Sequence, residues 1–353
     1  LDSNFYDPLF HGRDWKKLGK KYRPWAMAAS TKRDFRDVFN LMAGQLDASH
    51  MGLYYGDREP DLRETTGLLG VEIEPSGEGV KIIRVIPGSP ADRIDSRLEP
   101  GETITAVNGN PAGGRVNFYS LLTNTAGTRI LLSVMDGRGN AREVAIRPVA
   151  SLQRELYEEW VLGRRDFTEK ISRGRLGYLH IQGMSWDSFE RFERELTAAG
   201  SGREGIVIDV RFNGGGWTTD YLMAVLNIKQ HSYTIPRGAA GDLGKENAKF
   251  REYYPYAERL PFYPWMKPSI AICNEMSYSN AEIFSHAYKS LGIGTLVGMP
   301  TFGAVISTDG RRLIDGSMIR LPSRAWYVKS TGMGMEHGPA VPDVIVENDP
   351  ACK

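Results

Sequence analysis

The chain has 353 residues, of which 41% are hydrophobic and 25% are charged, a composition typical of a globular protein with two or three domains. Lys and Arg number 44 against 43 Asp and Glu, so the net charge of +1 argues against nucleic acid or an acidic membrane surface as a partner. No apolar run approaches the roughly 20 residues of a membrane span. The two cysteines, Cys273 and Cys352, form no disulfide framework, and no metal site or cofactor is predicted.

We expect no signal peptide at the beginning of the sequence. Because the chain starts at Leu1 rather than Met, we expect it to be a processed or excised fragment. Residues 1–61 are predicted to form a helical cap. Ser30, Thr31 and Asp34 offer helix N-caps. The apolar residues that follow recur at helical spacing, at Phe35, Val38, Phe39, Met42 and Leu46.

Residues 62–150 are predicted to form a separate β-rich domain. Short apolar runs with a period near two are broken by Gly, Pro and Asn, as in LLGVEI, VKIIRVI, TITAVNG, RILLSVM and REVAIRPV. One helix is expected around Val116–Asn124, and a charged helical linker is predicted over 151–172.

The remainder, 151–353, is predicted to be an α/β domain. From Leu176 onward strand and helix patterns alternate, which indicates a mostly parallel sheet. A proline-rich and aromatic stretch at about 231–268 interrupts this alternation. A connection of that length is more often a functional lid than a loop without a function. Its aromatic residues include Tyr253, Tyr254, Tyr256, Phe262, Tyr263 and Trp265.

A serine stands where a predicted strand gives way to a helix, in the run IAICNEMSYSNAEIF at 270–284. The apolar start of the run forms the strand, and Ser279 precedes a helical pattern that begins at Ala281. At such a turn a serine oxygen lies near unpaired N–H groups and the positive end of the helix dipole, which suits a nucleophile. Taken alone, the run favours the alternative that Ser277 and Ser279 are helix caps.

A glycine loop follows the buried strand in IVIDVRFNGGGW at 206–217. Glycines allow backbone N–H groups to approach a ligand closely. The residues after the glycines, Trp217 and Thr218, do not supply the Lys-Ser/Thr of a phosphate loop, and the spacing does not fit a dinucleotide loop. An oxyanion hole is therefore the preferred interpretation.

A serine nucleophile needs a base, and the chain has six histidines. Four are poor candidates because of their positions. His180 lies in an apolar strand, and His286 lies along the serine's own helix. His11 is near the terminus, and His231 is at the start of the insertion. Spacing alone leaves both His50 and His337 open.

The order of these motifs resembles the carboxy-terminal processing peptidases and, within that superfamily, the tricorn protease branch. The matching segments are QLDASH, DVRFNGGG, NEMSYSNAEIFS, TFGA at 301–304, RRLIDGS at 311–317 and GMEHGPAVPDV at 334–344. The β-rich domain resembles a PDZ domain through LLGV, PGSPA at 87–91 and GETITAVNG at 101–109. The resemblance implies a multidomain α/β protein with a helical cap, a PDZ-like module and a ClpP/crotonase-like α/β catalytic core.

The resemblance also implies a serine peptidase site. Its nucleophile, general base, relaying serine and orienting carboxylate match Ser279, His50, Ser49 and Glu336. The cap would thus carry the base, and His50 is preferred to His337. The backbone N–H groups of Gly216 and Asn280 match the oxyanion hole.

Two positions depart from the family pattern. Ala304 stands where the processing peptidases carry a lysine base, which excludes a Ser/Lys dyad at that position. Thr234 stands where tricorn has an aspartate that selects basic side chains, with Asp242 as an alternative counter-charge. The substrate pocket is therefore expected to favour apolar or small side chains. Tyr254, Tyr256 and Trp265 are expected either to form its walls or to pack in the core.

The preferred function is a serine endopeptidase that acts on peptides or unfolded protein segments through an acyl-enzyme on Ser279. In this function the backbone of Leu69, Gly70 and Val71 is expected to bind or gate peptide C-termini by adding the peptide as a strand, with a purely structural module as the alternative. One alternative function is a non-catalytic PDZ-type protein that binds peptide C-termini. A hydratase or thioesterase is a third option, since the core fold also builds oxyanion holes. We expect no nucleic-acid partner and a soluble protein, periplasmic or secreted in preference to cytoplasmic. A homo-oligomer is compatible with the resemblance.

Overall fold

The computed structural model describes residues 4–55, 64–253 and 262–347. The chain divides into two compact units, one made of Leu1–Arg58 with Phe167–Lys353 and the other of Glu59–Asp166. Within the described ranges, no helix combines the length and the apolar character needed to cross a membrane.

The bounds of the regular elements follow the chain. The α-helices are α1 Trp15–Ala28, α2 Lys32–Gly44, α3 Gln153–Ser172, α4 Trp186–Gly200, α5 Thr219–Leu226, α6 Leu243–Glu246 and α7 Asn280–Ser290. The strands of the larger unit are β1 Gly52–Tyr54, β8 Leu176–His180, β9 Gly205–Asp209, β10 Ser269–Cys273, β11 Thr295–Gly298, β12 Ile306–Arg312, β13 Met318–Ala325 and β14 Val344–Ile345. The strands of the smaller unit are β2 Val71–Ser76, β3 Gly79–Val85, β4 Thr103–Val107, β5 Asn110–Pro111, β6 Ile130–Met135 and β7 Ala141–Ile146. Short 3₁₀ helices cover Phe10–Gly12, Pro90–Asp92, Ile94–Ser96, Phe118–Leu122 and Asn247–Phe250.

The smaller unit is an antiparallel β domain with its own core. Its main path runs β2-β3-β4-β6-β7, and β5 pairs with β4. Along β6, Ile130 and Leu132 are buried while Leu131 between them is exposed, which is the period of two that the sequence shows. The helix predicted around Val116–Asn124 is a short 3₁₀ helix, Phe118–Leu122.

The larger unit is built on a parallel sheet, as the alternating pattern predicts. The strand order is β14-β11-β10-β9-β8, and every neighbouring pair is parallel. All five residues of β9 are buried. Strands of a parallel sheet are covered on both faces, which explains an unbroken apolar run rather than an alternating one.

Helices α4, α5 and α7 complete the core of this unit with side chains such as Phe189, Leu222 and Phe284. Trp265, for which the sequence left both a pocket wall and core packing open, is buried here at 7% exposure. A Cβ on Gly200 would lie 2.3 Å from its ring, so the tryptophan fills the space that this glycine leaves. Tyr254 and Tyr256 lie outside the described residues.

The N-terminal helices lead the chain to the edge of a second sheet. Thr31 caps α2, with its Oγ1 accepting from the Asp34 N–H at 3.0 Å. After α2 the chain enters β1, which pairs antiparallel with β13 in the order β1-β13-β12. Leu53 N donates to Asn40 Oδ1 at 3.0 Å, which fastens β1 to α2. Ser49 and His50 lie in the short connection between these two elements.

Candidate active site

Ser279 occupies a strained turn between β10 and α7. Its backbone has φ +58° and ψ −116°, a region that residues with a Cβ rarely adopt. The turn is held by Tyr278 N, which donates to Asn213 O at 2.9 Å, and by Ser279 N, which donates to Glu282 Oε1 at 3.0 Å. Ser279 Oγ lies 2.9 Å from His50 Nε2. The hydroxyl thus faces an imidazole rather than the helix.

Ser277, the other serine of the run, has a different environment. It is fully buried, its Oγ donates to Val210 O at 2.8 Å, and it accepts from Asn274 N at 3.1 Å. These bonds join the start of the turn to the end of β9. Ser277 is therefore part of the framework of the turn.

A chain of hydrogen bonds continues from His50 away from the serine. His50 Nδ1 lies 2.8 Å from Ser49 Oγ, and Ser49 Oγ donates to Glu336 Oε2 at 2.9 Å. Burial lowers the pKa of His50 to about 4, and the charge of Arg320 acts in the same direction. The imidazole is therefore neutral at neutral pH and can accept a proton at Nε2.

Both carboxylate oxygens of Glu336 are held by the fold. Oε1 accepts from Ser49 N at 2.7 Å, and Oε2 also accepts from Val305 N at 2.9 Å. The carboxylate therefore fixes the connection before β1 against the start of β12. Only the Ser49 hydroxyl therefore separates the Glu336 carboxylate from the His50 imidazole.

Tyr278 contacts the face of the His50 ring, a role that the sequence reasoning missed. Its ring stacks on the imidazole with centroids 4.7 Å apart and planes at 17°. Its hydroxyl lies 3.2 Å from His50 Nδ1. Burial raises the pKa of the Tyr278 hydroxyl, so this group stays neutral. The signal available in the sequence was only its position beside Ser279.

The glycine loop lies directly against the nucleophile. Gly215 has φ +88°, and a Cβ there would stand 2.7 Å from Ser279 Cβ. Gly216 has φ +147°, and a Cβ there would meet Met184 O at 2.1 Å. Within the described ranges, neither Gly216 N–H nor Asn280 N–H donates to a protein acceptor. These two donors are therefore available beside Ser279.

Glu282 is a second residue that the sequence reasoning missed. Its side chain is fully buried, and burial raises its pKa. It accepts from Ser279 N at 3.0 Å, from Ala304 N at 2.9 Å and from Thr301 Oγ1 at 2.7 Å, and Gly303 N also donates to it. It joins the nucleophile turn to the TFGA segment. A glutamate three residues after a serine at a helix start is the capping-box spacing, which offered a signal.

The alternative base His337 and Lys289, the lysine nearest to Ser279 in the sequence, both contact other groups. His337 Nε2 lies 3.1 Å from Asp47 O, and Lys289 pairs with Asp343 at 2.9 Å. Ala304 is buried beside Glu282 and carries no base. Across the residues that the structure describes, no group of His, Cys, Asp and Glu could hold a metal ion.

The residues predicted to bind substrate are not drawn into this hydrogen-bonded group. Thr234 is exposed, and its N–H donates to Tyr253 O at 3.0 Å. Asp242 caps α6 by accepting from Gly244 N at 2.9 Å. Its carboxylate is thus occupied by its own helix.

The predicted carboxylate loop lies in the smaller unit. Leu69 and Gly70 are buried, and their carbonyls accept from Ala91 N at 2.9 Å and from Ile86 N at 2.8 Å. Val71 opens β2, which stands at the end of its sheet's strand order. The outer edge of β2 is the place where an added strand would pair.

Comparisons with known families match three segments of the chain. The Tricorn protease C1 domain matches residues 1–44, the Tricorn protease PDZ domain matches 67–151 and Peptidase family S41 matches 175–346. The chain belongs to the tricorn branch of peptidase family S41. The predicted resemblance and the predicted multidomain α/β architecture with a PDZ domain are thereby confirmed.

Individual tricorn relatives agree with this assignment. Tricorn protease homolog 1 of Streptomyces coelicolor is 32% identical over 363 residues, which cover 99% of this chain and 32% of the relative. Tricorn protease of Thermoplasma acidophilum is 29% identical over 346 residues, covering 95% of this chain and 30% of the relative. The crystal structure of the tricorn protease superposes with a TM-score of 0.82 at 27% identity, covering 98% of this chain and 33% of that one.

The chain spans about a third of the length of these tricorn relatives. The S41 match does not favour the non-catalytic alternative. The expected periplasmic or secreted location finds no support in these relatives.

Proposed function

We propose that the chain is a serine endopeptidase that hydrolyses peptide bonds in peptides or unfolded protein segments through an acyl-enzyme on Ser279. The observation that carries the proposal is the unbroken series of contacts from Ser279 Oγ through His50 and Ser49 to Glu336. It lies within a chain that carries a Peptidase family S41 domain.

In this proposal Ser279 Oγ attacks the carbonyl carbon of the scissile bond while its proton passes to His50 Nε2. His50 then gives this proton to the leaving amine. Water attacks the acyl-enzyme in the second half, and the proton that it loses passes through His50 back to Ser279 Oγ. Glu336, through the hydroxyl of Ser49, stabilises the imidazolium that forms in each half.

The oxyanion of each tetrahedral intermediate would accept hydrogen bonds from Gly216 N and Asn280 N. Donors that are already aimed at the developing charge need no reorganisation during the reaction. The backbone of Asn280 begins α7, so the helix dipole adds to the stabilisation.

We further infer that residues 1–61 act as a helical cap that supplies the base and that the core is of the ClpP/crotonase type. The homo-oligomer expected from the resemblance stays a prediction, which sedimentation analysis of the purified chain tests. The substrates of the peptidase would be peptides or unfolded segments bound as extended strands.

The proposal is tested by labelling the purified chain with a fluorophosphonate and mapping the modified peptide. We expect modification of Ser279 and none of Ser277, and we expect Ser279→Ala to lose both labelling and peptide hydrolysis. Full hydrolysis by Ser279→Ala, or a label on another serine, contradicts it. Turnover of an acyl thioester without peptide hydrolysis would support the thioesterase alternative.

A further inference from the structure

An exposed group of aromatic rings, which the mechanism does not use, adjoins the glycine loop. Trp217 is 56% exposed, Trp186 is 40% exposed and Tyr221 is 38% exposed. The two indoles lie nearly parallel, with centroids 6.2 Å apart and planes at 8°. Tyr221 stands edge-on to both, at 5.5 Å from Trp186 and 5.8 Å from Trp217. Together these three residues form an aromatic platform.

Contacts with a buried ring and a hydrogen bond hold the platform in place. Phe189, only 1% exposed, lies 5.3 Å from the Trp186 ring and 5.7 Å from the Tyr221 ring. Trp186 Nε1 donates to Glu190 Oε1 at 2.8 Å, which fixes the orientation of this indole. The rings are therefore held in place before any ligand binds, which lowers the entropy lost on binding.

The platform is directly connected to the glycine loop, because Trp217 follows Gly216 in the sequence. Met184 N donates to Gly215 O at 2.9 Å, and Trp217 N donates to Met184 O at 2.8 Å, so the glycine loop and the segment leading to Trp186 are fastened together. A Cβ on Gly215 would lie 2.7 Å from Ser279 Cβ. Trp217 comes two residues later, so its Cα is within roughly 7 Å of that of Gly215.

We propose that the aromatic platform is a subsite for an aromatic or large aliphatic side chain of the peptide substrate, close to the scissile bond. This proposal rests on the proposed function. Covering a large exposed aromatic surface with an apolar side chain removes both from water, which lowers the free energy of the complex. Rigid rings give that contact a defined geometry. The carboxylate of Glu190 already accepts from the Trp186 indole, which makes it a weak counter-charge for Lys or Arg.

The test compares the wild-type chain with Trp217→Ala, Trp217→Phe and a matched control, Trp25→Ala. Trp25 lies on α1 and is 54% exposed, so the control removes an indole of the same exposure. A positional-scanning peptide library on the wild-type chain first locates the position that prefers Phe, Leu or Met. We expect about tenfold or greater preference over Ala there.

For a peptide pair differing only in Phe or Ala at that position, Trp217→Ala should lower kcat/KM by about tenfold or more for the Phe peptide and much less for the Ala peptide. Trp217→Phe should restore much of the preference, and Trp25→Ala should leave it unchanged. A dominant preference for Lys or Arg, or an equal loss on both peptides, overturns the subsite.

Failure of the subsite is distinguishable from failure of the proposed function. If the wild-type chain hydrolyses peptides and is labelled at Ser279 but shows no apolar preference, only the subsite is wrong. If it neither hydrolyses nor is labelled, the endopeptidase function is wrong. Calorimetric titration of the Phe and Ala peptides into Ser279→Ala then tests the subsite. Equal affinities of the two peptides overturn it. Tighter binding of the Phe peptide, lost when Trp217→Ala is added, supports it.

Discussion

The imidazole of His50 is partly buried and contacts Ser49, Tyr278 and Ser279, and its burial determines its protonation. Burial holds the pKa of His50 near 4, below its usual 6.5. A base must be neutral to accept a proton, so activity is lost as the pH falls through the folded-state pKa. We expect the acid limb of kcat/KM for peptide hydrolysis at about pH 4.

The folded chain must persist over this range for the measurement to report on catalysis. Because the pKa of His50 is lower in the folded state than in the unfolded one, protonation favours unfolding as the pH falls from 6.5 towards 4. Near-ultraviolet circular dichroism at each pH is the control. An acid limb near pH 6.5 in a fully folded chain would show that burial does not govern the base.

Tyr278 is a second residue whose contribution can be measured alone. Its ring stacks on His50 and its hydroxyl lies 3.2 Å from Nδ1, so it acts as a positioning residue for the imidazole. We expect Tyr278→Phe to lower kcat by less than about tenfold and Tyr278→Ala by about 10- to 100-fold, with KM little changed, since general base catalysis contributes 10²–10⁴-fold. Tyr119→Ala, which removes a half-exposed tyrosine of the smaller unit, is the control. An equal loss for the Phe and Ala variants would assign the effect to the hydroxyl instead.

At the scale of elements, the start of α7 and the TFGA segment are joined through the carboxylate of Glu282. Removing it leaves the buried N–H groups of Gly303 and Ala304, and the partly buried N–H group of Ser279, without this acceptor. We expect Glu282→Ala to lower the free energy of unfolding by about 2–4 kcal/mol and to reduce peptide hydrolysis. Urea denaturation followed by circular dichroism measures the change.

The matched control for this prediction is Glu275→Ala. Glu275 is exposed in the same connection between β10 and α7. Its replacement should change the free energy of unfolding by less than about 0.5 kcal/mol. Equal stability losses in the two variants would mean that the buried hydrogen bonds of Glu282 do not hold the turn.

At the scale of the whole molecule, the PDZ domain offers the edge of β2 to an added strand. If it captures peptide C-termini, Ser279→Ala should bind a free-acid peptide about tenfold more tightly than the same peptide with an amidated C-terminus, because amidation removes the carboxylate. Fluorescence anisotropy of labelled peptides checks this without hydrolysis. Equal affinities would leave the domain without a role in carboxylate capture.

The sequence by itself determined the elements and the local chemistry of this protein. Apolar periodicity reflects burial along one element, which is why the strands of the parallel sheet, the amphipathic α2 and the turn carrying Ser279 were all predictable. The glycine loop was predictable for the same reason, since close backbone approach at Gly215 and Gly216 requires residues without a Cβ.

Only the tertiary structure decided which residues meet. His50 and Ser279 are separated by 229 positions, and Ser49 and Glu336 by 287, so no local pattern could choose His50 over His337 without the family resemblance. Trp265 and Trp217 are both tryptophans of the same unit, yet packing buries the first and exposes the second. Contacts between distant segments depend on how the elements pack, and periodicity along one element carries no information about that.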